Sequence, residues 1–429
     1  MALQATEQGS LPVAAADLSN PRQPTVDAPP SFPTGGGAVV GCDKRRAAAG
    51  FPDDIVLEIL SRLPVKSLFR FKCVSKAWLA LVTDCLRKVP PTLQGLFYGP
   101  SRRSFGRFFN LLGASVVPPI DPSFPFLPKL TDTKAALIDS CNGLVLFDIA
   151  PPRPSWTVYR FNSEPGYIVC NPATKEWVGV SRSNKDFLSF DEKTMVISTR
   201  IVFDPAVSPQ FELVQFLLRK GKNRGMYVFQ VHTYSSESRA WSQRATECWS
   251  HDESINPGME STVFNGMIHF PVSVRRHSDE YENVIVAVDG RGEKHRVIRW
   301  PEERGLLEFL GPSQGLLHCM SAHYSVPGDY MSMTKLSIWV LEDYDKEQWA
   351  LKDTVTCMQL FGEVSCLACP VTIHPDRSVA LFFHLQSMKL VSYDMYSKEV
   401  SALCTLDGWI PMIPYVPYFV ESSALAKKR

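Results

Sequence analysis

Residues 169–180 read "VCNPATKEWVGV": an apolar run enters a polar turn and leaves through a Trp. The same pattern returns as "VHTYSSESRAWSQ" (231–243), "VAVDGRGEKHRVI" (286–298), "VLEDYDKEQWAL" (340–351) and "SYDMYSKEVSAL" (392–403). Each is one hairpin by its alternation of β-branched or aromatic residues with turn formers. The residues leaving the turns are Trp177, Trp241, Val297, Trp349 and Val400, spaced 64, 56, 52 and 51 apart. A period near 50 residues, with room for about four strands in each, fits propeller blades better than one sandwich. Short apolar runs such as "GLVLF" (143–147), "FELVQFLL" (211–218) and "VALFFHL" (379–385) supply the other strands. About six blades fit after residue 91, and ring closure would remove the sheet edges such a sequence must otherwise protect.

The texture before residue 91 differs. Residues 1–48 are rich in Ala, Pro, Gly, Ser and Thr without any period, as in "PRQPTVDAPPSFPTGGGAV". They bury too little apolar surface to offset their ordering entropy and read as a disordered arm. Lys44, Arg45 and Arg46 in it read as a solvated flank rather than a targeting signal. Within residues 49–90, Phe51–Asp84 is helical by period. Ile55, Ile59, Leu60 and Leu63 fall at i, i+4, i+5 and i+8, read as one helix face. Asp53 and Asp54 at its start and Arg62 near its end suit the helix dipole. Pro64 stops it, a second helix spans Lys66–Phe71, and Ser75 caps a third carrying Trp78, Leu81 and Val82. Three short helices bury too little surface to be very stable alone, so this module needs a partner surface inside or outside the chain. The fold class expected is therefore multidomain: a three-helix unit (49–90) followed by an all-β, propeller-like repeat domain (91–429).

Composition narrows the function. The net charge of +1 over 429 residues argues against a global grip on nucleic acid or membrane. No apolar run reaches the roughly 18 residues a membrane span needs, and no secretory leader pattern opens the chain. The 11 Cys are scattered and read as small buried hydrophobes in a reducing compartment. One Cys-x-x-Cys occurs, Cys366 with Cys369, without the second pair a zinc site wants, so packing is favoured over metal or redox use. "GPSQG" around Ser313 fits Gly-x-Ser-x-Gly, but a nucleophile elbow needs a following helix, and "GLLHCMSAHYSVPGDY" reads as strand and turn. No cofactor or metal is expected, and no catalytic residue is assigned. Arg102, Arg103, Arg275, Arg276, Trp249 and Tyr324 sit in loop-like stretches, and none of them is named as a substrate contact.

The run "FPDDIVLEILSRLPVKSLFRFKCVSKAW" (51–78) resembles the F-box, departing from its usual opening only by Phe51 in place of Leu. "SCNGLVLF", "CNPATKEW", "VFNGMIHF", "LSIWVLEDYDKEQWAL" and "YVPYFVES" (415–422) resemble the plant F-box-associated interaction domain. The kelch type places a Gly pair in each blade. Here the only Gly run, Gly35–Gly37, lies in the arm.

The resemblance implies a substrate-recognition subunit of an SCF (Skp–cullin–F-box) ubiquitin ligase, found in nucleus or cytoplasm and performing no chemistry itself. The F-box would bind the Skp-family adaptor, and through it cullin and RING subunits, while the C-terminal domain takes an unidentified protein substrate. Positions matching the motif, and so expected at the adaptor contact, are Phe51, Pro52, Ile55, Leu60, Leu63, Pro64, Leu68, Val74 and Trp78. Some of these would serve the module's own core, Trp78 foremost. Seven Lys and Arg against four Asp and Glu between Phe51 and Pro90 suit steering toward an acidic adaptor. The other readings are an F-box scaffold acting outside the ligase, and a β-propeller hydrolase or carbohydrate binder.

Replacing Phe51 and Pro52 together by Ala is expected to reduce adaptor binding severely in a pull-down while the β region stays folded. Undiminished binding would remove this edge from the contact.

Overall fold

A computed structural model of the protein describes residues 52–425, apart from 64, 89–91, 100–106, 114–119, 129–133, 151–165, 184–194, 221–225, 245–248, 250–252, 256–260, 276–280, 302–304, 326–331 and 407–411. The arm over 1–48 with its basic run, Phe51, Pro64, Arg102, Arg103, Arg276 and the Arg275 side chain lie outside the described residues.

Three helices come first: α1 (Asp53–Ser61), α2 (Val65–Phe71) and α3 (Lys76–Lys88). Strands β1 (Gly95–Tyr98) and β2 (Arg107–Asn110) follow. The next four, β3 (Lys134–Cys141), β4 (Leu144–Ala150), β5 (Tyr167–Asn171) and β6 (Glu176–Val180), make one antiparallel blade. Another is β7 (Met195–Phe203), β8 (Phe211–Lys220), β9 (Met226–Ser235) and β10 (Ala240–Arg244). The short β11 (Glu253–Ile255) stitches that blade to the next, pairing with both β9 and β13. That next blade is β12 (Thr262–Phe264), β13 (Met267–Arg275), β14 (Tyr281–Asp289) and β15 (Lys294–Arg299). A fifth comprises β16 (Leu306–Ser313), β17 (Leu316–Ser325), β18 (Ser332–Asp343) and β19 (Gln348–Thr356). After helix α4 (Cys357–Phe361) comes β20 (Ala368–Ile373), β21 (Val379–His384), β22 (Lys389–Asp394) and β23 (Val400–Thr405). Finally β24 (Ile413–Tyr415) adds to β1, giving the order β2-β1-β24. The molecule is thus a six-bladed β-propeller behind an N-terminal three-helix region. One blade is built from both ends of the strand-rich chain.

The repeated hairpin is the outer turn of five blades, and its residue choices have local causes. Its first polar side chain accepts from the turn's own backbone. Asn171 Oδ1 takes the Ala173 N–H at 3.0 Å, Asp343 Oδ1 those of Asp345 and Lys346 at 3.1 and 3.0 Å, and Asp394 Oδ1 those of Tyr396 and Ser397 at 2.8 and 3.0 Å. These bonds hold the Asp394 carboxyl below its ordinary range through the Ser397 and Tyr396 N–H groups. Asp343 is lowered mainly by Lys346. The turn's last residue is left-handed in four of the five: Lys175, Arg239, Glu347 and Lys398 at φ 63°, 54°, 55° and 62°. The Trp that follows reaches out of its own blade. Trp241 Nε1 donates to Ser181 O at 2.6 Å and Trp349 Nε1 to Arg299 O at 3.0 Å, each on the segment that leaves the preceding blade. Such a bond contributes about 1 kcal/mol, and here it ties one blade to the next.

Three of the inner hairpins use Asn-Gly or Gln-Gly. Asn142-Gly143, Asn265-Gly266 and Gln314-Gly315 all have positive φ, as a two-residue turn between twisted strands requires. Both hairpin sets lie at one end of the blades, since in a four-stranded antiparallel blade the first and third connections share an end. The second connections, and those linking blades, lie at the other end. They run as long as the 16 residues between β4 and β5. One face of the propeller therefore carries most of the tight turns and the other most of the long connections.

Two blades share a feature just after the inner turn: Gly266-x-x-His269 and Gly315-x-x-His318. Both imidazoles are buried. Each pairs Nδ1 with a carbonyl two residues back, Met267 O or Leu316 O, at 3.1 Å, so Nδ1 carries the proton. The other nitrogens accept, from Tyr344 Oη at 2.8 Å and from Lys352 Nζ at 3.2 Å. Burial holds both rings neutral, lowering each pKa to about 4. Above pH ~6.5 neither the folded nor the unfolded chain protonates them. Below it, the unfolded chain binds protons that the folded chain refuses, so stability falls as pH drops toward about 4. At pH 5 the two residues are expected to cost up to roughly 2 kcal/mol each. Urea midpoints at pH 7.5 and pH 5 should diverge less in a His269→Gln, His318→Gln variant than in the natural chain. An unchanged divergence would refute this assignment.

Candidate functional site

Helix α1 is apolar on two sides, and the two sides have different surroundings. Val56 and Leu60, one turn apart, are buried at 6% and 2% exposure. Ile55 and Ile59, also one turn apart, are 46% and 56% exposed. The sequence periodicity placed Ile55, Ile59, Leu60 and Leu63 on one face. The structure separates them, because a helix that is apolar on both sides hides the pattern of either.

The buried side joins Leu68 from α2 and Leu81, Val82, Cys85 and Leu86 from α3. Leu57, Leu63, Phe71 and Trp78 close its margin, with the Trp78 ring stacked on Phe71 at 5.2 Å. Ser75 Oγ accepts the Trp78 N–H at 3.2 Å and so starts α3. Two further core members come from the far end of the chain, Phe419 and Val420. They belong to a segment crossing the tight-turn face of the propeller. There the Tyr418 carbonyl accepts from Asn171 Nδ2 at 2.8 Å, and Ser422 N donates to Glu176 Oε2 at 3.1 Å and Ser422 Oγ to Pro209 O at 3.2 Å. Gly143 is required here: a Cβ on it would lie 2.3 Å from Tyr418 N. The helical module's partner surface is thus partly internal, and it sits at the tight-turn end.

Of the nine positions expected at the adaptor contact, Pro52, Ile55 and Val74 are exposed, Val74 at 60%. Leu63 and Trp78 are half-buried, and Leu60 and Leu68 lie wholly inside. Phe51 and Pro64 are outside the described residues. Ile59, not among the nine, is more exposed than Ile55, and Leu79 is 40% exposed. The outer surface of the module therefore carries Pro52, Ile55, Ile59 and Val74 beside the exposed ion pair Glu58–Arg62 (2.6 Å). The signal for Ile59 was present in its i+4 spacing from Ile55.

A concavity lies on the propeller axis. It has a volume of about 470 Å³ and takes a wall from the innermost strand of every blade, among them Asp139, Arg200, Thr262, Gly311, Thr372 and Ile413. The Asp139 carboxyl is raised by burial, against the opposing charge of Arg200. Its Oδ2 accepts the Ile201 N–H at 2.9 Å, so this acid ties two blades together.

Ser313 ends β16 and is followed by the inner turn and β17, not by a helix; its buried hydroxyl donates to His374 O at 2.7 Å. No elbow is formed there. Trp249 is buried against Phe216 and Phe270, and Tyr324 Oη donates to Glu308 at 2.7 Å. Cys366 and Cys369 belong to different hydrophobic clusters. Among the described residues, Asp289, Glu293 and His295 place ligand-type atoms together. Asp289 Oδ1 there is already taken by the Arg291 and Glu293 N–H groups, both at 2.9 Å.

Comparison with known proteins agrees with this geometry. Residues 50–90 match the F-box domain. Residues 119–407 match the family described as F-box protein At3g26010-like, β-propeller. F-box protein At1g30790 of Arabidopsis thaliana is 25% identical over 390 residues, covering 81% of this chain and 90% of that protein. F-box/kelch-repeat protein At4g19930 of the same plant is 26% identical over 334 residues, covering 73% and 71%.

The two sides of α1 predict opposite mutational signatures. Leu60→Ala is expected to destabilise the helical module by about 2–5 kcal/mol. Ile55→Ala and Ile59→Ala should stay within roughly 0.5 kcal/mol of the natural chain. Amide exchange across residues 53–88 measures both. Equal losses at Leu60 and Ile59 would show that the outer side is packed.

Proposed function

The chain belongs to the At3g26010-like F-box β-propeller family, and from that premise we propose that it is a substrate-recognition subunit of an SCF-type ubiquitin ligase. The helical module binds a Skp-family adaptor and, through it, cullin and RING subunits. The propeller holds a target protein, and the complex works in the nucleus or cytoplasm. The role is placement: a bound target keeps its lysines at high effective concentration near a charged ubiquitin-conjugating enzyme.

The observation that carries this reading is the second apolar side of α1. Ile55 and Ile59 are left in solvent beside Pro52, although the module has its own core and its own internal support. Exposed apolar residues clustered on one surface mark a docking site. A helical cap whose only role was to cover the propeller would not need them. The face of long connections lies at the opposite end of the blades, which suits a receptor that grips its adaptor at one end and its target at the other.

An Ile55→Asp, Ile59→Asp variant is expected to lose co-purification with the adaptor by at least tenfold while its thermal unfolding stays unchanged. Adaptor binding at the natural level in that variant would overturn the contact. If the natural chain brings down adaptor but no cullin, the ligase reading fails and a scaffold acting outside the ligase replaces it.

A further inference from the structure

The blade-to-blade connection carrying α4 contains a thiol pair that the sequence motif does not reveal. Cys357, the first residue of α4, and Cys366, just before β20, bring their sulfurs to 2.8 Å. Both are buried, at 0% and 2% exposure. The backbone around them fixes this approach from both sides. Met333 and Cys366 form an isolated antiparallel bridge, with N–H to O distances of 3.0 and 2.9 Å in the two directions. The Cys357 thiol also donates to Met333 O at 2.9 Å. Thr356 caps the helix reciprocally with Gln359, and Gly362 ends it at φ 77°. Two cysteine sulfurs held this close at the two ends of a short, pinned loop need to approach by less than about 1 Å to reach the disulfide bond length.

We infer that Cys357 and Cys366 are an oxidation site, closing to an intrachain disulfide when a peroxide is supplied. The Cys366 thiol donates toward the Cys357 sulfur. That contact lowers the Cys357 pKa and raises that of Cys366. As the acceptor of the Cys366 S–H, Cys357 is the sulfur placed to attack once its own proton leaves Met333 O. It takes one peroxide oxygen to become a sulfenic acid, and the leaving hydroxide is protonated to water. The Cys366 sulfur, losing its proton, then attacks the Cys357 sulfur and expels the sulfenic oxygen as a second water. Two thiols and one hydrogen peroxide give one disulfide and two waters, and the two electrons pass from sulfur to peroxide. The bond would tie down the segment presenting Met358 and Val364, exposed at 52% and 77% on the face of long connections.

The test treats the purified full chain with hydrogen peroxide until the exposed Cys73 is fully oxidised. The remaining thiols are alkylated in denaturant, and the chain is cut with trypsin and with a protease that cleaves after Glu363. Mass spectrometry without reduction should find the Cys357 and Cys366 peptides joined, with Cys369 alkylated. Cys369→Ser should keep the joined species and Cys357→Ser should abolish it, which separates the pair from the Cys-x-x-Cys motif. Recovery of Cys357 and Cys366 both alkylated, or either joined to Cys369, or Cys357 carried to a sulfonic acid without joining, would overturn the inference.

Discussion

The structure depends on one pairing. Gly95, Leu96 and Phe97 of β1 lie opposite Tyr415, Pro414 and Ile413 of β24. The paired residues are about 320 positions apart. Closing so long a loop in an unstructured chain costs about 3 kcal/mol more than closing a ten-residue hairpin. The offset is packing: Phe97, Phe108, Phe124 and Tyr415 stack edge-to-face or tilted, with centroids 5.1–6.3 Å apart. Gly95 is obligatory at this seam, because a Cβ there would lie 2.2 Å from Phe109 O and against the Phe108 ring. With the seam closed, the first and last blades meet; Leu93 and Leu96 bury against Val371, Leu381 and Phe383. Open, both would expose strand edges and apolar faces.

The remaining blades are joined by smaller, repeated devices. Trp241 and Trp349 bond to the segment leaving the blade before, Asp139 bonds to Ile201 of the next blade, and Tyr393 Oη donates to Asp353 at 2.8 Å across another boundary. Each is worth about 1 kcal/mol or somewhat more where a carboxylate accepts. Those bonds tie three of the six blade boundaries, β11 stitches a fourth, and apolar packing holds the closing blade on both sides, so the connections of one face are left free to vary. That is the division of labour a receptor needs.

Features whose cause is local were legible in the sequence. The outer hairpins are announced by an Asn, Asp or Ser that caps its own turn and by the Trp that follows. The three helices are announced by Ser75 and by their apolar spacing. About six blades follow from the period, and six are formed. Features whose cause is distant were hidden. The Pro- and Phe-rich stretch over 96–130 carries no plain strand alternation, and β1 within it takes a partner from the far end of the chain. Cys366 was judged beside Cys369, its neighbour in a motif, whereas folding sets its sulfur against Cys357. At the helical module the apolar positions were visible, but their division into inner and outer sides was not. Leu60 and Ile59 are adjacent and chemically alike, and only the packing of α3 and of Phe419 tells them apart.

Phe419 and Val420 give that packing a consequence for protein synthesis. The helices leave the ribosome before any strand of the propeller, yet part of their cover is made more than 300 residues later, just after the strand that closes the ring. A chain terminated prematurely before residue 413 lacks both. Its propeller stays open and its helical module keeps an unfinished core, so the defect at one end is felt at the other. A chain cut short in the ring therefore also carries a weaker helical module.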